Sequence, residues 1–108
     1  MILRTWRAVA TEAGAAAYAV HFRAHVLPLL IKTEGFRDAY LARRPMGDDV
    51  EMVVLSLWES LDAIRSFAGS DYERAVVHPD AASVLVSYDG TVRHEDVVAT
   101  ASMVEGRG

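Results

Sequence analysis

VEMVVLSLWESLDAIRSFAG (Val50–Gly69) is the stretch that decides how this chain is built. Side chains alternate between the two faces of a strand. Met52, Val54, Ser56 and Trp58 therefore point one way, and Val53, Leu55 and Leu57 the other. A strand with one wet face carries polar residues at every second position. This one does not, so both of its faces need cover. Ser60 then caps a helix whose buried side is Leu61, Ile64, Phe67 and Ala68, and Gly69 stops it.

The pattern extends outward in both directions. FRDAYLARR (Phe36–Arg44) reads as a strand, and PMGDD (Pro45–Asp49) as the turn that joins it to Val50–Trp58 in a hairpin. ILRTWRAV (Ile2–Val9) is a first strand, after which Thr11 can cap a helix with Glu12 in its first turn. From Ala15 to Lys32 the period is helical, with Ala15, Tyr18, Phe22, Val26 and Leu29 on one stripe. Pro28 is expected to kink this helix or tighten its last turn, and Gly35 to end it. Downstream, SDYE (Ser70–Glu73) has capping-box spacing and predicts a short helix that ends before Pro79. TVRHEDVVA (Thr91–Ala99) alternates as a final strand.

The resulting order, β-α-β-β-α-β, predicts an α+β, ferredoxin-like domain over residues 1–98 with a C-terminal tail over 99–108. Its helices cover one face of an antiparallel sheet. The apolar second face of Val50–Trp58 then predicts a homodimer through Val53, Leu55 and Leu57. Complete burial of each contributes roughly 1.5–3 kcal/mol.

Composition narrows the function classes. The 108 residues suit one domain, and 52% hydrophobic with 24% charged residues is a globular balance. A net charge of −4 without a basic stripe argues against nucleic acid. The absence of cysteine excludes disulfides, thiolate metal sites and a thiol nucleophile. No signal peptide and no apolar run near the ~20 residues of a membrane span are read, so a cytoplasmic protein is expected. There is no phosphate-binding glycine motif and no serine elbow, and hence no support for a nucleotide cofactor.

The strand order together with SLWES (Ser56–Ser60), AIRSFAG (Ala63–Gly69), DYERAVV (Asp71–Val77) and VRHEDV (Val92–Val97) resembles the antibiotic biosynthesis monooxygenase family, within the dimeric α/β-barrel superfamily. That resemblance implies a dimer and reactions that include cofactor-free oxygenation of polyketide anthrones and haem degradation. In the anthrone oxygenases a Trp near the end of the third strand works with an Asn four residues earlier; here these positions are Trp58 and Val54, and the sequence has no Asn or Gln. In the haem-degrading branch the corresponding Trp and His positions are Phe67 and Val77, with His78 one residue late.

The candidate residues follow. Trp58 is a possible pocket wall as well as a core residue, and Trp6 lies on a neighbouring strand. His94 on the last strand is the first candidate for a general base, with Asp96 on its face to orient it, and His25 is the second. Trp58, His94 and His25 thus form the expected catalytic set. Trp6, Tyr18, Phe22, Tyr40, Phe67 and Tyr72 are the expected substrate pocket. His21 and His25 share a helix face, but the pattern lacks the Glu of a zincin and predicts no metal site. With no amide available, tyrosine hydroxyls or tryptophan N–H groups are expected to hold any substrate anion. The functional expectation is a monooxygenase-like enzyme acting without a bound cofactor on an aromatic or polycyclic molecule. The alternatives are a non-catalytic ligand-binding or regulatory dimer and, behind it, a haem protein.

Overall fold

A computed structural model describes residues 1–101 of the chain. Its strands are β1 (Ile2–Ala10), β2 (Phe36–Met46), β3 (Asp49–Trp58), β4 (Ser87–Tyr88) and β5 (Arg93–Asp96). The helices are α1 (Glu12–His21), α2 (Leu27–Lys32), α3 (Leu61–Ala68) and the single turn α4 (Pro79–Ala82). The fold is α+β with an antiparallel, ferredoxin-like sheet in the order β2-β3-β1-β4, and β5 also pairs with β1. The expected tail over 99–108 falls mostly outside the described residues.

Register fixes which side chains are neighbours. Under the helices they stand in rows across the strands: Asp96, Ile2, Trp58 and Phe36; then His94, Arg4, Ser56 and Ala39; then Trp6, Val54 and Leu41; then Tyr88, Ala8, Met52 and Arg43. Two core clusters build on these rows. One gathers Trp6, Tyr18, Phe22, Val50 and Met52, and the other Leu30, Trp58, Ala63 and Ile64. The opposite face of β3 carries Val53, Leu55 and Leu57, each only part-buried. One end of that face is closed by Glu51, which accepts from Arg7 and from Arg44. These two bonds hold the Glu51 carboxyl below its ordinary range.

The long helix begins at Glu12 as expected, with the Thr11 hydroxyl accepting from the Gly14 N–H. Other sequence expectations change. At Pro28 the helix widens instead of simply continuing, and its last turn ends on a tight Thr33 N–H to Leu30 carbonyl bond. A π-turn, Phe22–Val26, precedes the proline, with the Leu27 N–H bonded to the Phe22 carbonyl five residues back. Proline has no N–H to give and crowds the carbonyl four residues before it, and the wider turn removes that conflict. The extra residue shifts the buried stripe by one, so Leu30 is 2% exposed and Leu29 is 52% exposed. The whole run Glu12–Lys32 is long and apolar enough to span a bilayer by length and composition, as core helices of globular proteins also are.

The helix expected from Ser70 does not form. Its carbonyls and amides are claimed from elsewhere: Ala75 donates to Gly90, Val92 donates to Glu73, and Arg4 binds the carbonyls of Tyr72 and Arg74. The only helical turn there starts after His78, whose Nδ1 accepts from the Asp80 N–H. The final strand is shorter than expected, Arg93–Asp96, and a further two-residue strand precedes it. Val86–Tyr88 and Arg93–Asp96 meet β1 separately, with a turn at Asp89–Gly90 between them.

Gly35 ties the helical layer to the sheet. Its φ is +87°, its carbonyl accepts from Glu59, and a Cβ there would stand 2.5 Å from the Ala63 Cβ. Gly47, in the β2–β3 turn, has φ +61° with open space around it. Both positions are strained for any L side chain. Urea denaturation is expected to show a loss of about 1 kcal/mol for Gly47→Ala, the backbone cost alone. Gly35→Ala adds a clash and is expected to lose roughly 2–4 kcal/mol. Equal losses would mean that the approach to Ala63 is unimportant.

Candidate functional site

Between the covered face of the sheet and the α1–π–α2 layer lies a cleft with two chambers. The inner one, about 60 Å³, is lined by Trp6, Tyr18, Phe22, Val54 and Phe67, with Arg4 and Ser56 as its polar groups. The outer one, about 230 Å³, is lined by His21, His25, Leu29, Val77 and His78 among others. Tyr18, Val26, Phe67 and Val76 border both chambers. The local causes are plain. The period of β1 sends Arg4 and Trp6 to one face, and helical spacing sets Tyr18 and Phe22 one turn apart above them. The rings meet at tilted contacts: Trp6 to Tyr18 at 5.8 Å and Tyr18 to Phe22 at 6.3 Å between centroids.

The structure thus brings Trp6, Tyr18, Phe22 and Phe67 together, and His25 joins them at the outer chamber. Other expected residues are elsewhere. Trp58 is 0% exposed and stands behind the wall. It packs edge-on against Phe36 and at a tilt against Phe67, and its Nε1–H donates to the Ser56 Oγ at 2.9 Å. Tyr40 is exposed on β2 and donates to Asp38 at 2.8 Å. Tyr72 and His94 share a separate groove on the far side of Arg4, with ring centroids 5.4 Å apart.

His94 is oriented by Arg4, not by Asp96. Arg4 Nη1 lies 3.0 Å from its Nε2. A guanidinium only donates, so Nε2 is the acceptor and the imidazole is neutral, with its proton on Nδ1. Burial and then the Arg4 charge hold His94 below the ordinary histidine value. Its ring nitrogen is therefore engaged away from the cleft. The indole donors are engaged too: Trp6 Nε1–H donates to the Asp89 carbonyl at 2.8 Å, and Trp58 Nε1–H to Ser56. Expected anion donors of that kind are not available. Tyr18 remains one, since burial pushes its phenol up to about 12 and keeps it protonated.

Arg4 was not among the expected site residues. It is 5% exposed, and its guanidinium donates to the carbonyls of Tyr72 (2.6 Å) and Arg74 (3.3 Å) and sits 5.9 Å from the Phe67 ring centroid. Burial pulls it down to about 10, which still leaves it charged at neutral pH. A signal was present in the sequence. In Ile2, Arg4, Trp6, Ala8, Ala10 one cation interrupts the apolar face of a strand. At the outer chamber His21 and His25 stack at 5.3 Å and His21 and His78 at 6.0 Å. Burial first, then the neighbouring histidines, pull His21 down. No group of three side chains suited to a metal ion occurs among the described residues.

The profile of the antibiotic biosynthesis monooxygenase family matches residues 1–79. Among solved structures, the chain is similar to a Bacillus cereus protein provisionally assigned to antibiotic biosynthesis monooxygenases, with 22% identity, TM-score 0.65 and coverage of 94% of this chain and 96% of that one. It is similar to SnoaB, a cofactor-independent oxygenase from Streptomyces nogalater, in its N63A mutant, with 14% identity, TM-score 0.64 and coverage of 93% and 96%. It is also similar to the heme-degrader MhuD of Mycobacterium tuberculosis with two hemes bound, with 20% identity, TM-score 0.58 and coverage of 94% and 99%. At these identities the likeness is one of fold. No curated protein matches the chain.

The Arg4–His94 bond has a pH consequence. His94 is held below its unfolded value, so the unfolded chain takes up the proton first. The stability it contributes is complete above about pH 6.5 and is lost as pH falls towards the lowered folded value. His94→Gln keeps an acceptor for Arg4 and removes the titration. Thermal unfolding from about pH 8 to about pH 5 is expected to show a smaller fall in Tm for that variant than for wild type. Parallel falls would mean that His94 is protonated in the folded protein and does not accept from Arg4.

Proposed function

The chain belongs to the antibiotic biosynthesis monooxygenase family, and on that premise we propose that it is a small homodimeric enzyme of monooxygenase type that takes an aromatic or polycyclic molecule into the two-chambered cleft without a bound cofactor. The observation that carries this reading is the lining of the inner chamber by Trp6, Tyr18, Phe22 and Phe67. Four rings around a narrow space suit a flat aromatic guest better than a flexible polar one.

The chemistry asks little of the protein. A methylene between aromatic rings and a carbonyl, once deprotonated, gives an electron-rich carbanion that can reduce dioxygen directly. One oxygen atom becomes the new carbonyl and the other leaves as water, so dioxygen is the only co-reactant. The residues must accept a proton, exclude water and hold the anion. His25 suits the first role because it borders the outer chamber, whereas His94 acts through Arg4. Trp58 supports the wall through Phe67 and Ser56.

Of the two histidines expected as axial haem ligands, His25 borders the outer chamber, whereas His78 is less well suited. The ligand-histidine position of the haem-degrading branch is Val77, which has no ligating atom. Neighbouring His78 uses Nδ1 to cap α4. A second reading, a ligand-binding dimer without catalysis, is favoured by one observation: neither a carboxylate nor an imidazole lines the inner chamber.

The dimer is supported by the open sheet face. Val53, Leu55 and Leu57 of β3 form an apolar row on this face, extended by Leu3 of β1 opposite Leu57 and by Tyr40 and Ala42 of β2 opposite Leu55 and Val53, with Thr5 between and the Arg7–Glu51–Arg44 cluster at one end.

Two measurements test these readings. Oxygen uptake with a simple anthrone is expected, and His25→Ala is expected to slow it roughly a hundredfold. An anthrone bound without oxygen uptake would leave only the ligand-binding reading. By light scattering at micromolar concentration the wild type is expected at twice the mass of one chain and Leu55→Lys at one, since a charge there would be buried unpaired. A wild-type monomer would remove the dimer.

A further inference from the structure

We propose that Arg4 and Ser56 form an oxyanion-binding site on the wall of the inner chamber, so that the aromatic guest is held as its anion, a phenolate or enolate. This rests on the reading of the cleft as an aromatic site, and it adds which residues hold the anion of the guest.

The argument begins with a missing counter-ion. Among the described residues Arg7, Arg37, Arg43, Arg44, Arg65, Arg74 and Arg93 all form ion pairs with carboxylates, and Arg23 is exposed. Arg4 alone is a buried arginine without such a partner. Acid is not scarce, since the chain carries 15 Asp and Glu against 11 Lys and Arg. The acceptors that Arg4 does have are two backbone carbonyls and a neutral imidazole. They supply lone pairs and no net charge. A buried cation is costly unless it meets an anion.

The donors are also incomplete. A guanidinium carries five N–H bonds, and three of Arg4's meet protein acceptors. Two are left on a group that borders the chamber. Ser56 is Arg4's direct cross-strand partner in the β1–β3 register and borders the same chamber. Its Oγ accepts from Trp58 at 2.9 Å, and the Ser56 proton remains available to donate. A charged donor and an oriented hydroxyl therefore lie side by side on the wall of an otherwise apolar space. A strap that only ties the 72–74 segment and β5 to β1 would use the three bonds but would not need this opening.

A chromogenic phenol tests the inference. 4-Nitrophenol ionises near neutral pH and only its anion is yellow; 4-nitroanisole has the same ring and cannot ionise. Binding of each is read from quenching of tryptophan emission, since Trp6 lines the chamber. Ionisation of the bound phenol is read from its colour. The wild type is expected to bind both and to lower the apparent pKa of bound 4-nitrophenol by about one unit or more. Arg4→Met is expected to bind 4-nitroanisole as before and to leave that pKa unmoved or raised, with Arg4→Lys in between. Should Arg4→Met not fold, the wild-type shift alone decides. A bound phenol whose pKa stays or rises in the wild type overturns the oxyanion site and leaves the aromatic cleft standing. Binding of neither probe overturns both.

Discussion

A charged guanidinium stands on the covered face of the central strand β1, and much of the molecule is arranged around it. Arg4 reaches the carbonyls of Tyr72 and Arg74 and the imidazole of His94. Those three groups belong to the connection after α3 and to β5. The segment 72–74 has no α-helix or sheet strand of its own; the Arg74 N–H turns back to Asp71, and the Glu73 carbonyl accepts from Val92. Arg4 therefore helps to close the domain between its two core clusters. A leucine there would bury more apolar area, but would leave two carbonyls in search of donors.

The second constraint is proline geometry. Pro28 removes one helical hydrogen bond, and the chain answers with the wider Phe22–Val26 turn. The shift by one residue brings Leu30 under the layer beside Trp58 and Ile64. It also leaves Val26 at the junction of the two chambers. A π-turn so placed shapes a cleft without any insertion in a loop, which is how such turns are found at functional sites.

Much of the fold was legible because it rests on local rules. The two-sided strand Val50–Trp58, the Ser60 cap and the helix through Ile64 follow from period and capping alone. The failures arise where distant groups compete for the backbone. The Ser–x–x–Glu spacing at Ser70 offers a helix start, but the carbonyls that follow are taken by Arg4 and Val92 and the Ala75 amide by Gly90, and no local signal reports that. The aromatic side of the site, Trp6, Tyr18, Phe22 and Phe67, was readable from residue type and period. Its polar side was not, because Arg4 reads as one more charge until the register places it beside Ser56 and under a roof of rings. His94 was attractive for its ordinary titration range, yet its neighbour in the sheet row, Arg4, decides what its nitrogen does.

The loss of the amide and the presence of the guanidinium fit one another. Val54 stands where oxygenases resembling this chain would carry Asn, and it faces the chamber next to Trp6. An amide donates to a neutral carbonyl and to an oxyanion with modest preference, because it bears no charge. A guanidinium in an apolar enclosure distinguishes them strongly, since the Coulomb term grows as the surroundings lose water. Moving the donor from the third strand to the first also moves it one row along the sheet, from the Trp6–Val54 row to the Arg4–Ser56 row. A guest anion held there, as proposed, would have its charged edge towards β5 and its apolar body between Tyr18 and Phe67.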